Sequence, residues 1–273
     1  MELKLTDNDF IRLVEFVKKN YGIDLGKKRV LLEGRLSRTL AEKNYTSFTE
    51  YIDMLFKDRT GKEIITFLNK ITTNHTFFMR EPEHFEFMKT VILPYIEQTV
   101  KAKIAKIWCA ASSSGEEPYT MAMVIDDYFG IRKAGWNLKI LATDISENVL
   151  EKARKGVYAP ETLKDIPKAW KLKYFKQLPD GNFQVVDSIR QQVEYKKFNL
   201  MDPIPQFSKY DFISCRNVMI YFDLETKNAL VERFYDVLKD GGYFFTGHAE
   251  SVTKTSRFTY VKPAIYRKIV NTL

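Results

Sequence analysis

The fold of this chain depends on the stretch Ile107-Trp-Cys-Ala-Ala-Ser-Ser-Ser-Gly-Glu-Glu-Pro-Tyr-Thr-Met-Ala-Met123, which is typical of a strand, a turn of small residues and the start of a helix. The apolar run 104–109 predicts a short buried strand. Residues 110–115 carry no large side chain, so a ligand could approach their backbone closely. Acids in the first helical turn, with Pro118 beside them, favour a helix start there. The pattern predicts a ligand cradle at the carboxyl end of a first parallel strand.

The cradle lacks the usual signatures of a phosphate site, since neither Gly-x-Gly-x-x-Gly nor Gly-Lys-Ser/Thr is present. Two carboxylates, Glu116 and Glu117, would also repel a pyrophosphate. Acidic side chains suit a ligand with positive charge, such as the sulfonium and ammonium groups of S-adenosylmethionine. The same pattern is compatible with a capped helix in an arbitrary α/β protein, so the residues alone leave both interpretations open.

Four stretches in order resemble motifs of the chemotaxis receptor glutamate methyltransferases, the CheR family. They are Thr72-Thr-Asn-His-Thr-Phe-Phe-Met-Arg-Glu81, Trp108-Cys-Ala-Ala-Ser-Ser-Ser-Gly-Glu-Glu-Pro-Tyr119, Cys215-Arg-Asn-Val-Met-Ile-Tyr-Phe-Asp223 and Gly247-His-Ala-Glu250. The chain departs from the family in having Ser112 where Cys is usual and Cys109 where Ser is usual. The resemblance implies an enzyme that forms methyl esters on chemoreceptor glutamates, with S-adenosyl-L-methionine as cofactor and S-adenosyl-L-homocysteine as product.

Length and composition set broader bounds. The chain has 273 residues, of which 45% are hydrophobic, which allows one large domain or two with a real core. No apolar run approaches the ~18 residues of a membrane span, and the N-terminus lacks a signal region. Cys109 and Cys215 are expected to be small buried residues of a cytoplasmic protein. Three histidines and two separated cysteines predict no metal site.

The net charge of +8 permits nucleic acid, an anionic membrane surface or an acidic protein as partner. Composition does not choose among them. The resemblance favours the cytoplasmic helical bundle of chemoreceptors, with no nucleic-acid partner and no membrane insertion. We expect a monomer.

Residues 1–75 predict an N-terminal all-helical recognition domain. Thr6 with Asp9 indicates a helix start, and Tyr21-Gly22 indicates its end. A second helix is expected at 27–43, with Leu32, Leu36 and Leu40 as its buried stripe. Apolar residues at helical spacing predict two more helices, in the ranges 48–56 and 64–71.

Residues 76–100 are expected to form a linker and a helix that begins near Glu81-Pro82. From 101 to 273, alternating strands and helices predict an α/β, Rossmann-like methyltransferase sheet. Its strands are expected near 104–109, 138–143, 193–198, 210–215, 242–247 and 258–268, and its helices near 116–129, 146–155 and 223–238. The last two strands are expected to pair antiparallel at the sheet edge. Residues 156–192 interrupt the alternation, and Pro179-Asp-Gly181 predicts a hairpin in a small inserted β-subdomain.

Several residues are candidates for the cofactor site. Asp144 ends the second strand, where an acid accepts hydrogen bonds from ribose hydroxyls, and the alternative or additional role is a cap of the next helix. A charge at a buried strand end is costly unless it is paired, so Arg216 either contacts the cofactor or forms an ion pair with Glu116 or Glu117. The resemblance places the adenine beside Asn199-Leu200. The full set of cofactor residues expected on these grounds is Asn74, Thr76, Arg80, Ala110, Glu117, Asp144, Asn199, Leu200, Arg216 and Asn217.

Two residues are candidates for catalysis. Arg80 could hold the substrate carboxylate by a guanidinium fork, or it could be a surface partner of Glu81 or Glu83. The resemblance places Tyr221 beside the transferred methyl group, whereas a lone Tyr before a helix would otherwise be a packing residue.

Lys28, Arg35 and Arg38 are candidates for substrate recognition. Range 27–43 has six basic residues and two acids, so its charge is 6 − 2 = +4. Such a run is usually a solvated helix face. An acidic receptor helix would also meet it with complementary charge.

Two other functions remain open from the residues. One is a methyltransferase for RNA or a small molecule, although the Asn/Asp-Pro-Pro-Tyr/Phe motif is absent and Asn199-Leu-Met-Asp-Pro203 lacks its aromatic residue. The other is a cofactor-binding sensor or scaffold without catalysis, against which Arg80, Arg216 and Tyr221 argue.

Overall fold

The computed structural model describes residues 4–72, 75–205, 209–253 and 256–269. The chain divides into two compact units. The first comprises the residues up to 75 together with 221–226, and the second comprises 76–220 and the residues from 227 onward. Among the residues that the structure describes, no helix combines the length and the apolar composition that a bilayer span requires.

The first unit contains four complete α-helices among its described residues. They are α1 (Asp7–Tyr21), α2 (Arg29–Glu42), α3 (Phe48–Lys57) and α4 (Lys62–Ile71). Thr6 caps α1 by accepting a hydrogen bond from the N–H of Asp9 at 3.1 Å, and Gly22 follows its last residue, so both predicted ends are confirmed. The predicted stripe of α2 is confirmed because Leu32, Leu36 and Leu40 are fully buried.

The second unit begins with a helix in three parts, α5 (Pro82–Phe87), a π-helical turn (Met88–Ile92) and α6 (Leu93–Thr99). The N–H of Leu93 bonds to the carbonyl of Met88, five residues back. Pro94 has no N–H and therefore cannot continue the α-helical pattern from the preceding turn. The predicted helix start at Glu81-Pro82 is confirmed.

The remainder of the second unit is built on a seven-stranded sheet, whose order is β6-β2-β1-β7-β8-β10-β9. Its strands are β1 (Ile107–Ala110), β2 (Ile140–Asp144), β6 (Val193–Lys197), β7 (Tyr210–Cys215), β8 (Leu238–Phe245), β9 (Thr259–Lys262) and β10 (Ile265–Arg267). The first five strands of the order are parallel, and β10 pairs antiparallel with β8. Chain order reverses at β1, which is where ligands bind in open α/β sheets.

The helices that the sequence predicts between parallel strands are present: α7 (Glu116–Phe129), α8 (Glu147–Lys155) and α11 (Leu224–Val237). The apolar residues Met121, Val124 and Ile125 of α7 are buried in the core against the sheet. The expected α/β fold with an N-terminal helical domain is therefore confirmed.

The prediction of one last strand over 258–268 is wrong. The segment is a hairpin of β9 and β10, joined at Pro263 and Ala264, and Ala264 has a φ of 60°. Proline cannot donate a ladder hydrogen bond, so it interrupts the strand and forces the turn. The antiparallel pairing with β8 is confirmed, but β10 makes it and β9 becomes the edge.

The insertion folds as a small separate sheet with order β3-β5-β4. Its elements are β3 (Val157–Tyr158), α9 (Lys168–Tyr174), β4 (Phe175–Gln177), β5 (Phe183–Val185) and α10 (Asp187–Arg190). The β4–β5 hairpin turns at Pro179-Asp-Gly181, as predicted, and the N–H of Leu178 bonds to the carbonyl of Asn182 at 2.8 Å. The two-residue strand β3 was too short for sequence periodicity to reveal.

Candidate active site

The turn after β1 has an unusual backbone. Ala111, Ser113 and Gly115 have φ of 59°, 48° and 98°, in the left-handed region that side chains disfavour. Hydrogen bonds hold the turn against the end of β2, because the N–H of Ser112 donates to the carbonyl of Thr143 at 2.8 Å. Ala110, a predicted cofactor residue, is the last residue of β1 and leads into this turn.

Gly115 is required by space as well as by conformation. A Cβ there would lie 2.7 Å from the hydroxyl of Tyr195, 2.9 Å from the Cβ of Ala153 and 3.0 Å from the hydroxyl of Tyr158. The Tyr158 hydroxyl also donates to the carbonyl of Ser114 at 2.7 Å. The insertion therefore supports the cradle through β3.

Asp144 ends β2 and ties the cradle to the start of α8. Its two carboxylate oxygens accept the N–H of Ser113 at 2.9 Å and the N–H of Ser146 at 3.0 Å. Burial raises the pKa of Asp144, while these N–H donors oppose the shift. The N-cap of α8 is Ser146, with no side-chain cap hydrogen bond, so Asp144 does not cap this helix. The carboxylate has about four acceptor positions, which leaves room for ribose hydroxyls beside the two N–H donors. Ribose contact stays a prediction.

The adjacent acids Glu116 and Glu117 have different surroundings. Glu116 is buried, and the Ser114 hydroxyl reaches both of its oxygens, at 3.0 Å and 2.8 Å. Burial raises the pKa of Glu116 to about 7, against the opposing effect of Ser114. Glu117 is half-buried, accepts the Ser214 hydroxyl at 2.5 Å and pairs with Arg216 at 3.2 Å.

Arg216 joins the cradle to the segment before α5. Its side chain is 1% exposed and pairs with Glu117 and with Glu81, the latter at 3.1 Å. It also donates to the carbonyl of Arg80 and lies 5.4 Å from the ring centre of Phe85. The predicted ion pair with Glu117 is present, and Glu81 is a second partner. A buried guanidinium between two carboxylates has the pairing that burial requires.

Glu81 is the centre of a second set of contacts. Its Oε1 accepts the side-chain amide of Asn217 at 3.3 Å and the N–H of His248 at 3.2 Å, and its Oε2 lies 3.3 Å from Nδ1 of His84. Burial would raise the pKa of Glu81, but His84, Arg216, His248 and Asn217 together hold it well below its ordinary value. Burial lowers the pKa of His84.

Ligand-type atoms of Glu81, His84 and His248 lie within 4.8 Å of one another, a spacing that a metal ion could accept. Both Glu81 oxygens are already engaged, one of them by the guanidinium of Arg216. A cation between them would be repelled by that guanidinium, so the geometry favours an ion-pair network.

Asn217 is constrained by its backbone conformation, by a hydrogen bond and by close packing. It has a φ of 60°, and its N–H donates to Glu250 at 2.9 Å. A Cβ on Gly247 would lie 2.3 Å from its side-chain nitrogen. Glu250 is buried and also accepts the N–H groups of Ile220 at 3.1 Å and Gly247 at 2.6 Å. The motif Gly247-His-Ala-Glu250 thus anchors the turn after β7.

Arg80 lies between two residues of left-handed conformation, Met79 with a φ of 61° and Glu81 with a φ of 59°. Its guanidinium is 5.8 Å from the ring centre of Phe77. Glu81 pairs with Arg216, and Glu83 with His248 at 2.8 Å. Thr76 is the first residue of the second unit and is half-buried, whereas Asn74 lies outside the described residues.

The turn after β6 carries Asn199 and Leu200. The side-chain oxygen of Asn199 accepts the N–H of Met201 at 3.0 Å, and Leu200 is buried. Arg233 on α11 donates to the carbonyl of Leu200 and to that of Asp202, the latter at 2.8 Å. Adenine contact by Asn199 and Leu200 stays a prediction.

Tyr221 belongs to the first unit, where its carbonyl accepts the N–H of Asp24 at 2.8 Å. Lys28 Nζ lies 5.3 Å from the centre of its ring. Lys28 precedes α2 and is half-buried, while Arg35 and Arg38 are exposed on the helix. Arg35 donates to the carbonyl of Lys70 at 2.9 Å, and Arg38 pairs with Glu42 at 2.7 Å. The roles of Tyr221 and of the three basic residues stay predictions.

Sequence reasoning assigned no role to Glu81, Glu250 or Arg233. Glu81 and Glu250 each end a stretch that resembles a family motif, Thr72 to Glu81 and Gly247-His-Ala-Glu250. Their place in these motifs is the sequence signal that could have indicated a role. Arg233 is one basic residue of an amphipathic helix, and nothing local distinguishes it. Cys109 and Cys215 are both buried and unpaired, as predicted.

The site fits S-adenosylmethionine, because a small-residue turn leaves the backbone accessible and the half-buried carboxylates Glu117 and Asp144 border it. Two family models match the chain. CheR methyltransferase, all-alpha domain, matches residues 8–72, and CheR methyltransferase, SAM binding domain, matches residues 74–266.

Curated relatives match nearly the whole chain. A chemotaxis protein methyltransferase of Borreliella burgdorferi is 42% identical, covering 98% of this chain and 96% of that protein. Chemotaxis protein methyltransferase 2 of Vibrio cholerae is 32% identical, covering 96% and 91%. The chemotaxis protein methyltransferase of Escherichia coli is 34% identical, covering 97% and 92%. The chain therefore belongs to the CheR methyltransferase family, and it is a methyltransferase whose cofactor is S-adenosylmethionine.

Proposed function

We propose that this enzyme transfers a methyl group to glutamate side chains of chemoreceptors and forms glutamate methyl esters in sensory adaptation. The names of the relatives support a role in chemotaxis. The proposed partner is the cytoplasmic helical bundle of the receptors, so the enzyme would act in the cytoplasm. The proposal also includes a monomeric enzyme without a nucleic-acid partner.

One observation carries the proposal. The buried guanidinium of Arg216 pairs with Glu117 at the cradle and also donates to the main-chain carbonyl of Arg80. The position of Arg80 is thus coupled to the cradle through a single rigid group. Arg80 can present a planar fork of donors, the geometry that matches a carboxylate.

The chemistry requires little beyond alignment. A glutamate carboxylate with a pKa of about 4.3 is ionised at neutral pH, so no general base is needed to create the nucleophile. When bound, S-adenosylmethionine supplies a methyl group activated by the adjacent sulfonium. Arg80 would hold the carboxylate in line with that methyl group, and such orientation can contribute several kcal/mol, roughly 7–11 at most.

We place the adenine end of the cofactor at Asn199 and Leu200, and the ribose at Asp144. The half-buried carboxylate of Asp144 and the buried side chain of Leu200 support this placement, since ribose needs an acceptor and adenine an apolar contact. The methionine end would then lie toward Glu117 and Arg216.

The experiment that tests the substrate class supplies the purified enzyme with methyl-labelled S-adenosylmethionine and three acceptors: chemoreceptor-containing membranes, the same membranes lacking receptors, and total RNA. We expect label only with the first. Label in RNA or in receptor-free membranes would refute the proposal. Cofactor binding without transfer to any acceptor would instead favour a sensor or scaffold.

A further inference from the structure

Arg233 makes an unusual set of contacts for a helix residue. Its guanidinium donates to three successive main-chain carbonyls: those of Leu200, of Met201 at 3.3 Å and of Asp202 at 2.8 Å. Arginine has five N–H donors in a fixed planar geometry. A set of partners in one turn therefore fixes the orientation of several peptide planes at once.

The opposite side of the same turn is held by Asn199. Its side-chain oxygen accepts the N–H of Met201 at 3.0 Å, and its carbonyl accepts the N–H of Asp202 at 2.9 Å. Asn199 thus binds the N–H groups and Arg233 binds the carbonyls. Since a trans peptide directs its N–H and carbonyl to opposite sides, the two residues restrain the turn from both directions.

The helix that carries Arg233 is itself fixed to the cradle strand. The next residue, Phe234, packs against Trp108 of β1 with ring centres 5.3 Å apart, and Phe198 packs on the same indole at 5.8 Å. Trp108 also donates from Nε1 to the hydroxyl of Thr143 at 2.9 Å. The turn at 199–202 is consequently held at a set distance from β1 and β2.

The guanidinium is half-buried, and burial lowers the pKa of Arg233, against the opposing charge of Asp202. Its contacts in the turn are carbonyls, which are weaker partners than a carboxylate would be. The guanidinium of Arg233 gives up part of its hydration in order to bind three backbone carbonyls. This cost suggests that the turn must be kept in one conformation.

We propose that Arg233 is a positioning residue that shapes the adenine end of the cofactor site by holding residues 199–202. The proposal rests on the placement of adenine at Asn199 and Leu200 given above. It assigns Arg233 to cofactor affinity, through the turn, and not to the methyl-transfer step or to receptor binding.

The test compares Arg233→Met and Arg233→Lys with the wild-type enzyme. Arg233→Met should weaken binding of S-adenosylmethionine, S-adenosylhomocysteine and adenosine alike, by about 10- to 100-fold in calorimetry, because the turn loses charge-assisted hydrogen bonds. Arg233→Lys retains the charge but not the fork, so its loss should be smaller. At saturating cofactor, kcat should stay within about twofold of wild type while KM for the cofactor rises.

Arg257→Met is the matched control. Arg257 also binds to α11, through Glu232 at 2.6 Å and Asp236 at 2.6 Å, so this variant removes another arginine contact of the same helix. The variant Arg257→Met should bind the three ligands with the affinity of wild type. An equal loss in both methionine variants would mean a general effect of α11 on stability and would overturn the proposal.

Leu200→Ala separates failure of this inference from failure of the adenine placement. If Leu200→Ala binds adenosine weakly and Arg233→Met binds it normally, Arg233 has no positioning role. If both bind normally, the adenine lies elsewhere and both the placement and the inference fall. If Arg233→Met does not fold, normal affinity in Arg233→Lys together with an unchanged KM would overturn the proposal. The calorimetric measurements use no receptor, so they do not depend on glutamate as substrate.

Discussion

Glu116 and Glu117 show how strongly surroundings determine what a side chain can do. Glu116 is buried and accepts a hydrogen bond from the Ser114 hydroxyl. Glu117 instead forms an ion pair with Arg216 and accepts a hydrogen bond from the Ser214 hydroxyl. The sequence presents them as equivalent acids in a first helical turn. Of the two, only Glu117 is among the predicted cofactor residues.

The buried position of Glu116 leads to a prediction about stability and pH. Its pKa is about 7 in the folded chain, above the ordinary value of 4.5. Between these values the folded chain retains a proton that the unfolded chain has released, so rising pH lowers the free energy of unfolding until the pH passes about 7. The loss should amount to roughly 3 kcal/mol.

Urea unfolding of Glu116→Gln should therefore show a smaller decrease in stability between about pH 4.5 and about pH 8 than wild type does. Glu147→Gln, at the first turn of α8, is the control and should follow wild type, because the side chain of Glu147 is 45% exposed. Identical pH profiles for Glu116→Gln and wild type would contradict the account of this carboxylate.

Asp144 allows a test of ribose binding against a purely structural role in holding the N–H groups of Ser113 and Ser146. Asp144→Ala should weaken S-adenosylmethionine binding by about 1–3 kcal/mol, because buried hydroxyls would lose an acceptor. Asp144→Asn keeps one oxygen and should lose less. If calorimetry gives wild-type affinity for Asp144→Ala while its melting temperature falls, Asp144 only anchors the N–H groups of Ser146 and Ser113.

The conformation of the cradle turn depends on Gly115. Gly115→Ala would strain a φ of 98° and also force a Cβ against Tyr195, Ala153 and Tyr158. Gly181→Ala is the matched control, since Gly181 has a φ of 87° and nothing within 4 Å of the added carbon. We expect Gly181→Ala to cost about 1 kcal/mol of stability.

Gly115→Ala should cost about 1–3 kcal/mol more than that control, since overpacking adds to the strain, and should reduce cofactor affinity as well. Chemical unfolding and calorimetry of both variants measure these effects. Equal stability and normal cofactor binding in the two variants would show that the support of the cradle by the insertion is dispensable.

Helix α2 and the residue just before it carry the predicted recognition surface of Lys28, Arg35 and Arg38. Replacing all three by Glu should strongly reduce receptor methylation and leave cofactor affinity unchanged. The wild-type rate should fall as salt rises, and the variant should show a flatter dependence, because such contacts act mainly on encounter. Replacement of the exposed Lys101, Lys103 and Lys139 by Glu changes the net charge equally and is the control. Equal rates in both variants would place recognition elsewhere, with the 156–192 insertion as the next candidate.

Elements with strong local signals were predictable from the sequence. The ends of α1 were signalled by Thr6 and Gly22, and the hairpin of the insertion by Pro179-Asp-Gly181. The hairpin at the sheet edge was missed although Pro263 signals it, because the aromatic run on either side resembles one continuous strand. Strand β3 and the short helices of the insertion gain their stability from tertiary packing, which local pattern does not show.

For the molecule as a whole, the sequence predicted the turn of small residues after β1 but not the network that links it to Arg80. The pairing of Arg216 with Glu81 joins residues that are 135 positions apart, and that of Asn217 with Glu250 joins residues 33 apart. Periodicity and turn signals describe neighbours along the chain, so such partners emerge only when the sheet has been assembled. The motifs predict which segments contribute to the site. The contacts between those segments are seen only in the folded structure.

The central claim is that the enzyme, with Arg80 aligning the substrate, esterifies receptor glutamates. Its most direct test is mass-spectrometric mapping of a purified receptor cytoplasmic fragment after incubation with enzyme and methyl-labelled S-adenosylmethionine. The control is Arg132→Ala, which removes an exposed arginine paired with Glu97, beside the variant Arg80→Ala. We predict label on glutamate side chains, released as methanol by mild alkali, in wild type and Arg132→Ala, and a rate lower by at least about 100-fold in Arg80→Ala, as for loss of an orienting group. Label that resists alkali or lies on other residues, or a wild-type rate in Arg80→Ala, would contradict the account.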